Sequence, residues 1–130
     1  MRHFLFCLVL LPLPAFADEP LSGNQFDQNV TGRTITYDYG GGVSGTEEYL
    51  PDRKVRWAFE GDLCVYGIWY EQQGNEICFV YDNDPEAKCW YYYLRDGVIH
   101  GQYLGPGADN IVEVERTATP LPCAGPDVGV

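Results

Sequence analysis

The feature that most constrains the fold is a succession of short segments that are rich in aromatic and β-branched residues. From residue 33 onward nearly every such segment is bounded by Gly, Asn, Asp or Pro, which is typical of consecutive antiparallel strands. In "KVRWAFEG", Val55, Trp57 and Phe59 alternate with Lys54 and Arg56, so one face should lie in a core and the other in water. The other strands are predicted over residues 34–39, 46–50, 63–71, 76–82, 88–95, 98–105 and 111–116.

The links between these strands predict a meander. "EGD", "QQGN" and "RDG" are typical of tight turns, and "NDPEA" predicts a longer one. An antiparallel meander of about 7–8 strands must protect its edges by closing into a small barrel or by curling strongly. The sequence therefore predicts a mainly β domain of this kind.

One short helix is predicted before the strands, from Gly23 to Thr31. Ser22 is a candidate N-cap, and Gly32 is a candidate stop. Phe26 and Val30 share one face of this helix, which should pack on the rest of the domain.

The N-terminal segment, residues 1–17, has the layout of a secretory signal peptide. A basic start at Arg2 is followed by an apolar run and an A-x-A ending at Ala15 and Ala17, and the apolar run is too short to span a bilayer. Cleavage after Ala17 would leave residues 18–130 as a single domain in the periplasm or outside the cell. No second long apolar run follows in the sequence, so no transmembrane segment is predicted.

The charge balance is strongly acidic. The chain has a formal net charge of −11, and loss of Arg2 leaves 7 basic and 19 acidic residues, or −12. A field of this sign repels nucleic acid and anionic lipid, and it favours basic proteins, cationic ligands or divalent ions.

The four cysteines that follow the signal segment predict two disulfides, as is usual in a small exported domain. Cys78 and Cys89 lie on strands joined by one turn and can face each other at a bridgeable distance. A turn near "GN" would place Cys78 opposite about Trp69, which is five residues from Cys64. Cys64 therefore cannot easily reach Cys78. The second bridge then joins Cys64 to Cys123, which ties down a Pro- and Gly-rich tail.

Several stretches together resemble a group of small exported bacterial proteins of unknown function. They are "GTEEYLPDRKVRWAF", "GDLCVYGIWYEQQGNEICFVY", "CWYYY" and the closing "LPCAGPDVGV". The resemblance implies a periplasmic or secreted bacterial protein, and it transfers no activity.

The run "KCWYYYLRD" supplies the candidate contact surface. Because side chains alternate along a strand, Trp90, Tyr92 and Leu94 are predicted to be core residues. Tyr91 and Tyr93 then lie on the opposite face with the cysteines, where tyrosines either cover the sheet or contact a partner.

The chain offers no recognisable catalytic or metal-binding set. His100 is the only histidine after the signal segment, and "YDNDPEAK" lacks the glycine and the closing glutamate of an EF-hand. A loose calcium site at the turn from Asp82 to Glu86 is left open, and no cofactor is predicted.

These observations favour a non-catalytic binding or interaction module. It would hold a small apolar ligand in the mouth of the barrel or dock a protein through its tyrosine face. One alternative is an acidic inhibitor of a basic cell-wall hydrolase. Another is a hydrolase that uses two of several carboxylates: Glu47, Glu48, Glu60 and Asp62. We expect the barrel interior to be filled by aromatic rings: Trp57, Phe59, Trp69, Phe79 and Trp90.

Overall fold

The computed structural model describes residues 18–107 and 109–123, which form one helix and eight antiparallel strands. The elements in chain order are α1 (Gly23–Val30), β1 (Thr34–Gly40), β2 (Val43–Tyr49), β3 (Lys54–Phe59), β4 (Val65–Gln72), β5 (Glu76–Tyr81), β6 (Asp84–Arg95), β7 (Val98–Tyr103) and β8 (Asn110–Thr117). Each strand pairs with the next, and β8 pairs with β1. The predicted meander is confirmed, and it is a closed barrel. The predicted signal peptide lies outside the described residues.

Two hairpins have two-residue turns with positive φ angles, and one of them is the predicted "RDG" turn. Arg95 pairs with Val98 across Asp96 and Gly97, whose φ angles are 51° and 77°. Gly41 and Gly42 likewise have positive φ angles, of 63° and 79°, between β1 and β2. Two consecutive residues with positive φ match the twist of paired strands, so these turns fix the local register.

The turn between β5 and β6 is tighter than predicted. Tyr81 pairs with Asp84, so the turn consists of Asp82 and Asn83, and β6 begins at Asp84 rather than at Lys88. A strand normally excludes proline because proline cannot donate to the ladder. Pro85 is accommodated because the register of β5 and β6 is interrupted just there.

Helix α1 closes one end of the barrel, which we call the helix end: the end at which β2, β4, β6 and β8 finish. The Ser22 hydroxyl accepts from the Gln25 backbone N–H, and the Gln25 side chain accepts from the Ser22 backbone N–H, which confirms the predicted N-cap. Phe26 is fully buried and stacks on Tyr92 with ring centroids 4.5 Å apart. It also meets Tyr49 and Trp69 edge-on, at 5.6 and 5.2 Å.

Both predicted disulfides are present. Cys78 and Cys89 are direct partners across β5 and β6, with their Cα atoms 4.0 Å apart. The register on the other side of β5 differs by one residue from the prediction, because Cys78 pairs with Tyr70 and not with Trp69. The loop before Glu76 holds three residues, which shifts the pairing.

The second disulfide, Cys64–Cys123, holds the chain that follows β8. Arg56 reinforces it from the outer face of β3: its guanidinium donates to the Leu121 carbonyl at 3.2 Å and to the Glu48 carboxylate at 3.0 Å. The two disulfides indicate an oxidising compartment. In the described part of the chain, no helix is long and apolar enough to cross a membrane.

Candidate ligand-binding site

The aromatic run on β6 divides between the two faces of the sheet as predicted, with one exception. Trp90 and Tyr92 are buried in the core, whereas Tyr91 and Tyr93 are half-buried on the outer face. Leu94 is 43% exposed, so its predicted core position is wrong. β6 has passed the buried layer by that point, since Leu94 is the penultimate residue of the strand.

Tyr93 is covered by a neighbouring side chain. The Arg95 guanidinium lies 4.9 Å from the centre of its ring and also pairs with Asp18 at 2.8 Å. Tyr93 and His100 line a depression of about 350 Å³ beside β7 and β8. A partner for the surface formed by Tyr91 and Tyr93 stays a prediction.

The barrel interior is not filled, which corrects the prediction made from its aromatic residues. A cavity of about 350 Å³ enters from the end opposite α1, which we call the mouth: the end at which β1, β3, β5 and β7 finish. Four of the five rings expected to fill the interior line this cavity instead: Trp57, Phe59, Phe79 and Trp90. The fifth, Trp69, packs against Phe26 at the helix end.

Two inward-facing glycines, Gly45 and Gly67, leave room for neighbouring rings to lie close to the barrel wall. A Cβ at Gly45 would overlap the Trp57 ring, and a Cβ at Gly67 would lie 2.5 Å from the Val80 carbonyl oxygen and 2.8 Å from the Tyr81 ring. Small residues opposite large ones let rings lie along the wall of a narrow barrel. The indole of Trp57 and the phenol of Tyr81 therefore lie against the wall, and the centre stays open.

Glu47 is the buried polar group of the cavity. It is 2% exposed, it lines the cavity, and its Oε1 accepts from the Tyr81 hydroxyl at 2.9 Å. Its Oε2 is buried without a hydrogen-bond partner among the described residues. Burial raises the pKa of the Glu47 carboxyl well above its usual range, and the hydrogen bond from Tyr81 only partly opposes this shift.

The tyrosines around Glu47 are held neutral by the same burial. Desolvation raises the pKa values of Tyr39 and Tyr81, and the nearby Glu47 carboxyl raises them further. Deeper in the barrel, the hydroxyls of Tyr37 and Tyr49 bond to each other at 2.8 Å. The cavity is thus an aromatic pocket with phenol groups and one buried carboxyl.

The rim of the mouth mixes charged and apolar side chains. Asp62, Leu63, Asp84 and Lys88 line it, and Leu63 is 67% exposed. The Lys88 ammonium lies 3.2 Å from the Asp84 carboxylate, so its charge is already paired.

The close group of possible metal ligands among the described residues does not lie at the turn from Asp82 to Glu86. In the two described segments of the chain, one group of three possible ligands lies close together: Glu76, Cys78 and Cys89. Its two cysteines form a disulfide, so they offer no thiolate. At the turn where a calcium site was left open, Asp84 instead accepts from the Glu86 backbone N–H at 2.9 Å and pairs with Lys88.

Sequence reasoning included Glu47 among the candidate carboxylates but could not single it out. Its neighbour Glu48 points outward, where it pairs with Arg56. The signal that separates them is the period of two along β2, read together with Tyr49 and Gly45 on the inner face. Comparisons with models of protein families, with curated proteins and with solved structures find no match to this chain.

Proposed function

We propose that this protein is an exported, non-catalytic binding protein that holds a small aromatic molecule in the mouth of its barrel. The observation that carries the proposal is the cavity of about 350 Å³, which combines aromatic walls with a buried carboxyl. Pockets for small molecules are typically concave and mostly apolar, with a few converging polar groups, and measure roughly 300–1,000 Å³. The size lies at the lower end of this range, which suits a molecule of about one to three rings.

The geometry of the wall supports an aromatic ligand in particular. Trp57 lies edge-on to Phe59 with ring centroids 5.2 Å apart, and Tyr39 lies 6.0 Å from Trp57 and 5.6 Å from Phe59. Aromatic rings prefer offset or edge-on contacts at such distances. A planar ligand that enters this cluster would extend the same packing.

The sequence and the two disulfides together support export. The predicted signal peptide over residues 1–17 would direct the chain to an oxidising compartment, where the two disulfides form. We infer a periplasmic or secreted binding protein, in agreement with the resemblance to exported bacterial proteins.

A neutral fluorescent probe tests whether the cavity binds ligands. N-phenyl-1-naphthylamine, which fluoresces strongly in apolar surroundings, should bind the oxidised protein with a stoichiometry of about one. Val65→Trp should abolish this binding because Val65 lies on the inner face of β4 and lines the cavity. Ile68→Trp is the matched control, since it adds the same ring on the outer face of the same strand, where Ile68 is 51% exposed.

The outcomes separate cavity binding from surface adsorption. Saturable binding that Val65→Trp removes and Ile68→Trp preserves supports the proposal. A wild-type protein that shows no saturable binding, or binding that Val65→Trp leaves unchanged, would refute it. Circular dichroism of each variant verifies that the barrel has formed.

A carboxylate-dependent hydrolase is the second candidate. It is favoured by one observation: the carboxyls of Glu47, Asp62 and Asp84 line the same cavity, and a raised pKa suits Glu47 as a general acid. Hydrolysis of chromogenic glycosides that Glu47→Gln abolishes would favour this function over simple binding.

A further inference from the structure

The buried carboxyl in the mouth cavity lacks the partner that its environment demands. Glu47 Oε2 has no hydrogen bond among the described residues, and none of the five ion pairs there includes Glu47. A buried polar atom without a partner costs about 1–3 kcal/mol. Such an atom beside a ligand-sized cavity points to a ligand that supplies the missing partner, and because an ionised carboxylate can only accept, the partner of the ionised form is a donor.

The surroundings of this carboxyl favour a cationic donor. The rings of Tyr39, Trp57 and Phe59 lie within 6.0 Å of one another near the mouth, and aromatic faces attract ammonium groups that lie within about 6 Å of them. Tyr81 already supplies the neutral hydroxyl donor to Oε1. An ammonium at Oε2 would therefore complete the carboxyl and gain the attraction of the rings.

The negative charge of the whole chain also favours a cationic ligand. The formal net charge is −11, and the one lysine at the rim, Lys88, is paired with Asp84. A negative field concentrates cations at the mouth and repels anions.

We infer that the ligand is a small aromatic amine, whose ammonium pairs with the ionised Glu47 carboxylate at the cavity wall while its ring lies against Tyr39, Trp57 and Phe59. This inference rests on the proposed function and specifies its ligand class.

Three probes that share one ring system but differ in charge test the inference. They are 1-naphthylmethylamine, 1-naphthalenemethanol and 1-naphthoate, which are a cation, a neutral donor and an anion at pH 7. Isothermal titration calorimetry should show that the wild-type protein binds the amine at least about tenfold more tightly than the alcohol, as expected for a charge-assisted hydrogen bond. The carboxylate should bind most weakly.

Glu47→Gln and a matched control variant identify the side chain that causes the preference for the amine. Glu47→Gln should remove the preference for the amine but retain binding of the alcohol. Glu115→Gln removes the same charge from an exposed position on β8, and it should preserve the preference.

A second measurement needs no variant. Burial raises the pKa of the Glu47 carboxyl well above its usual range, whereas binding of an ammonium requires the ionised carboxylate, so binding at low pH should displace a proton. Titrations at pH 5 in buffers of different ionisation enthalpy should therefore show release of up to about one proton with the amine and none with the alcohol. The other ionisable groups facing the cavity are phenols with raised pKa values and the rim charges: Tyr37, Tyr39, Tyr49, Tyr81, Tyr92, Asp62, Asp84 and Lys88.

The failure of this inference is distinct from the failure of the proposed function. If the alcohol binds but the amine binds no more tightly and releases no proton, the amine assignment is wrong and cavity binding stands. A preference that persists in Glu47→Gln also overturns the assignment. If none of the three probes binds, both proposals are wrong.

Discussion

Replacement of Glu47 by glutamine should change how the stability of the folded protein depends on pH. The side chain is 2% exposed, and its carboxyl accepts one hydrogen bond, from Tyr81. Glutamine has nearly the same shape, and its carbonyl oxygen can accept the same bond. The main difference is that glutamine cannot ionise.

The raised pKa of the Glu47 carboxyl determines whether the free energy of unfolding rises or falls with pH. In the folded protein Glu47 keeps its proton above the ordinary value of 4.5, because burial disfavours the charge. In the unfolded chain it loses the proton near that value. Between the two pKa values the folded state binds one proton more, so the wild-type free energy of unfolding falls as the pH rises.

The expected magnitude is about 1.4 kcal/mol for each pH unit in this window. Glu47→Gln does not suffer this loss, so its advantage over the wild type should grow by that amount per unit above pH 4.5, until the pH passes the folded pKa. The contributions of the other ionisable groups are the same in both proteins, so they cancel when the two free energies of unfolding are subtracted. The phenols around Glu47 do not interfere, since their pKa values are raised from 10.0.

Urea denaturation of the oxidised proteins at pH 5, 6 and 7, followed by tryptophan fluorescence, measures this difference. Glu115→Gln, which removes an exposed carboxyl, is the control for the change in net charge and should follow the wild-type pH dependence. A difference between Glu47→Gln and the wild type that stays constant from pH 5 to 7 would refute the assignment of Glu47 as a buried, protonated acid.

Three further predictions concern the architecture. Phe26→Ala should lower the free energy of unfolding by about 3–5 kcal/mol, measured by urea denaturation, because Phe26 is fully buried between α1 and the barrel. A loss below about 1 kcal/mol would contradict the inference that Phe26 holds α1 against the helix end of the barrel. Gly67→Ala should cost about 1–3 kcal/mol and weaken N-phenyl-1-naphthylamine binding, since the new Cβ would lie 2.5 Å from a backbone oxygen; unchanged probe affinity would argue against the inference that this glycine shapes the cavity wall. Joint replacement of Cys64 and Cys123 by serine should cost about 4 kcal/mol in the chain-entropy model, measured in the same way, because the bridge spans 59 positions; an unaltered denaturation midpoint would contradict this.

Much of the fold could be predicted because its determinants are local. The alternation in "KVRWAFEG", the Asp96–Gly97 turn and the Ser22 cap each act over a few residues. The pairing of Cys78 with Cys89 follows because their strands are joined by one short turn. The predicted start of β6 was wrong because a non-local feature intervened: the register of β5 and β6 is interrupted, which lets β6 begin at Asp84 although a proline follows it.

The candidate site could be predicted only in part. Tyr91 and Tyr93 were assigned to the correct face, but the sequence could not show that Arg95 covers Tyr93. The rings at Trp57 and Phe59 were assigned to the barrel interior, where they line a space instead of filling it.

Most of the strands, the Asp96–Gly97 turn, the capped helix and the disulfide pairs can be read from the sequence, because periodicity, turn chemistry and proximity along the chain specify them. The open mouth of the barrel emerges only from the folded sheet, and so does the position of Glu47, rather than Glu48, beside it without a partner for Oε2. The physical reason is that a cavity is the difference between the space that a closed sheet encloses and the volume of the side chains that point inward. That difference depends on the pairing of all eight strands and on glycines at positions such as Gly45 and Gly67, where rings from neighbouring strands lie against the wall.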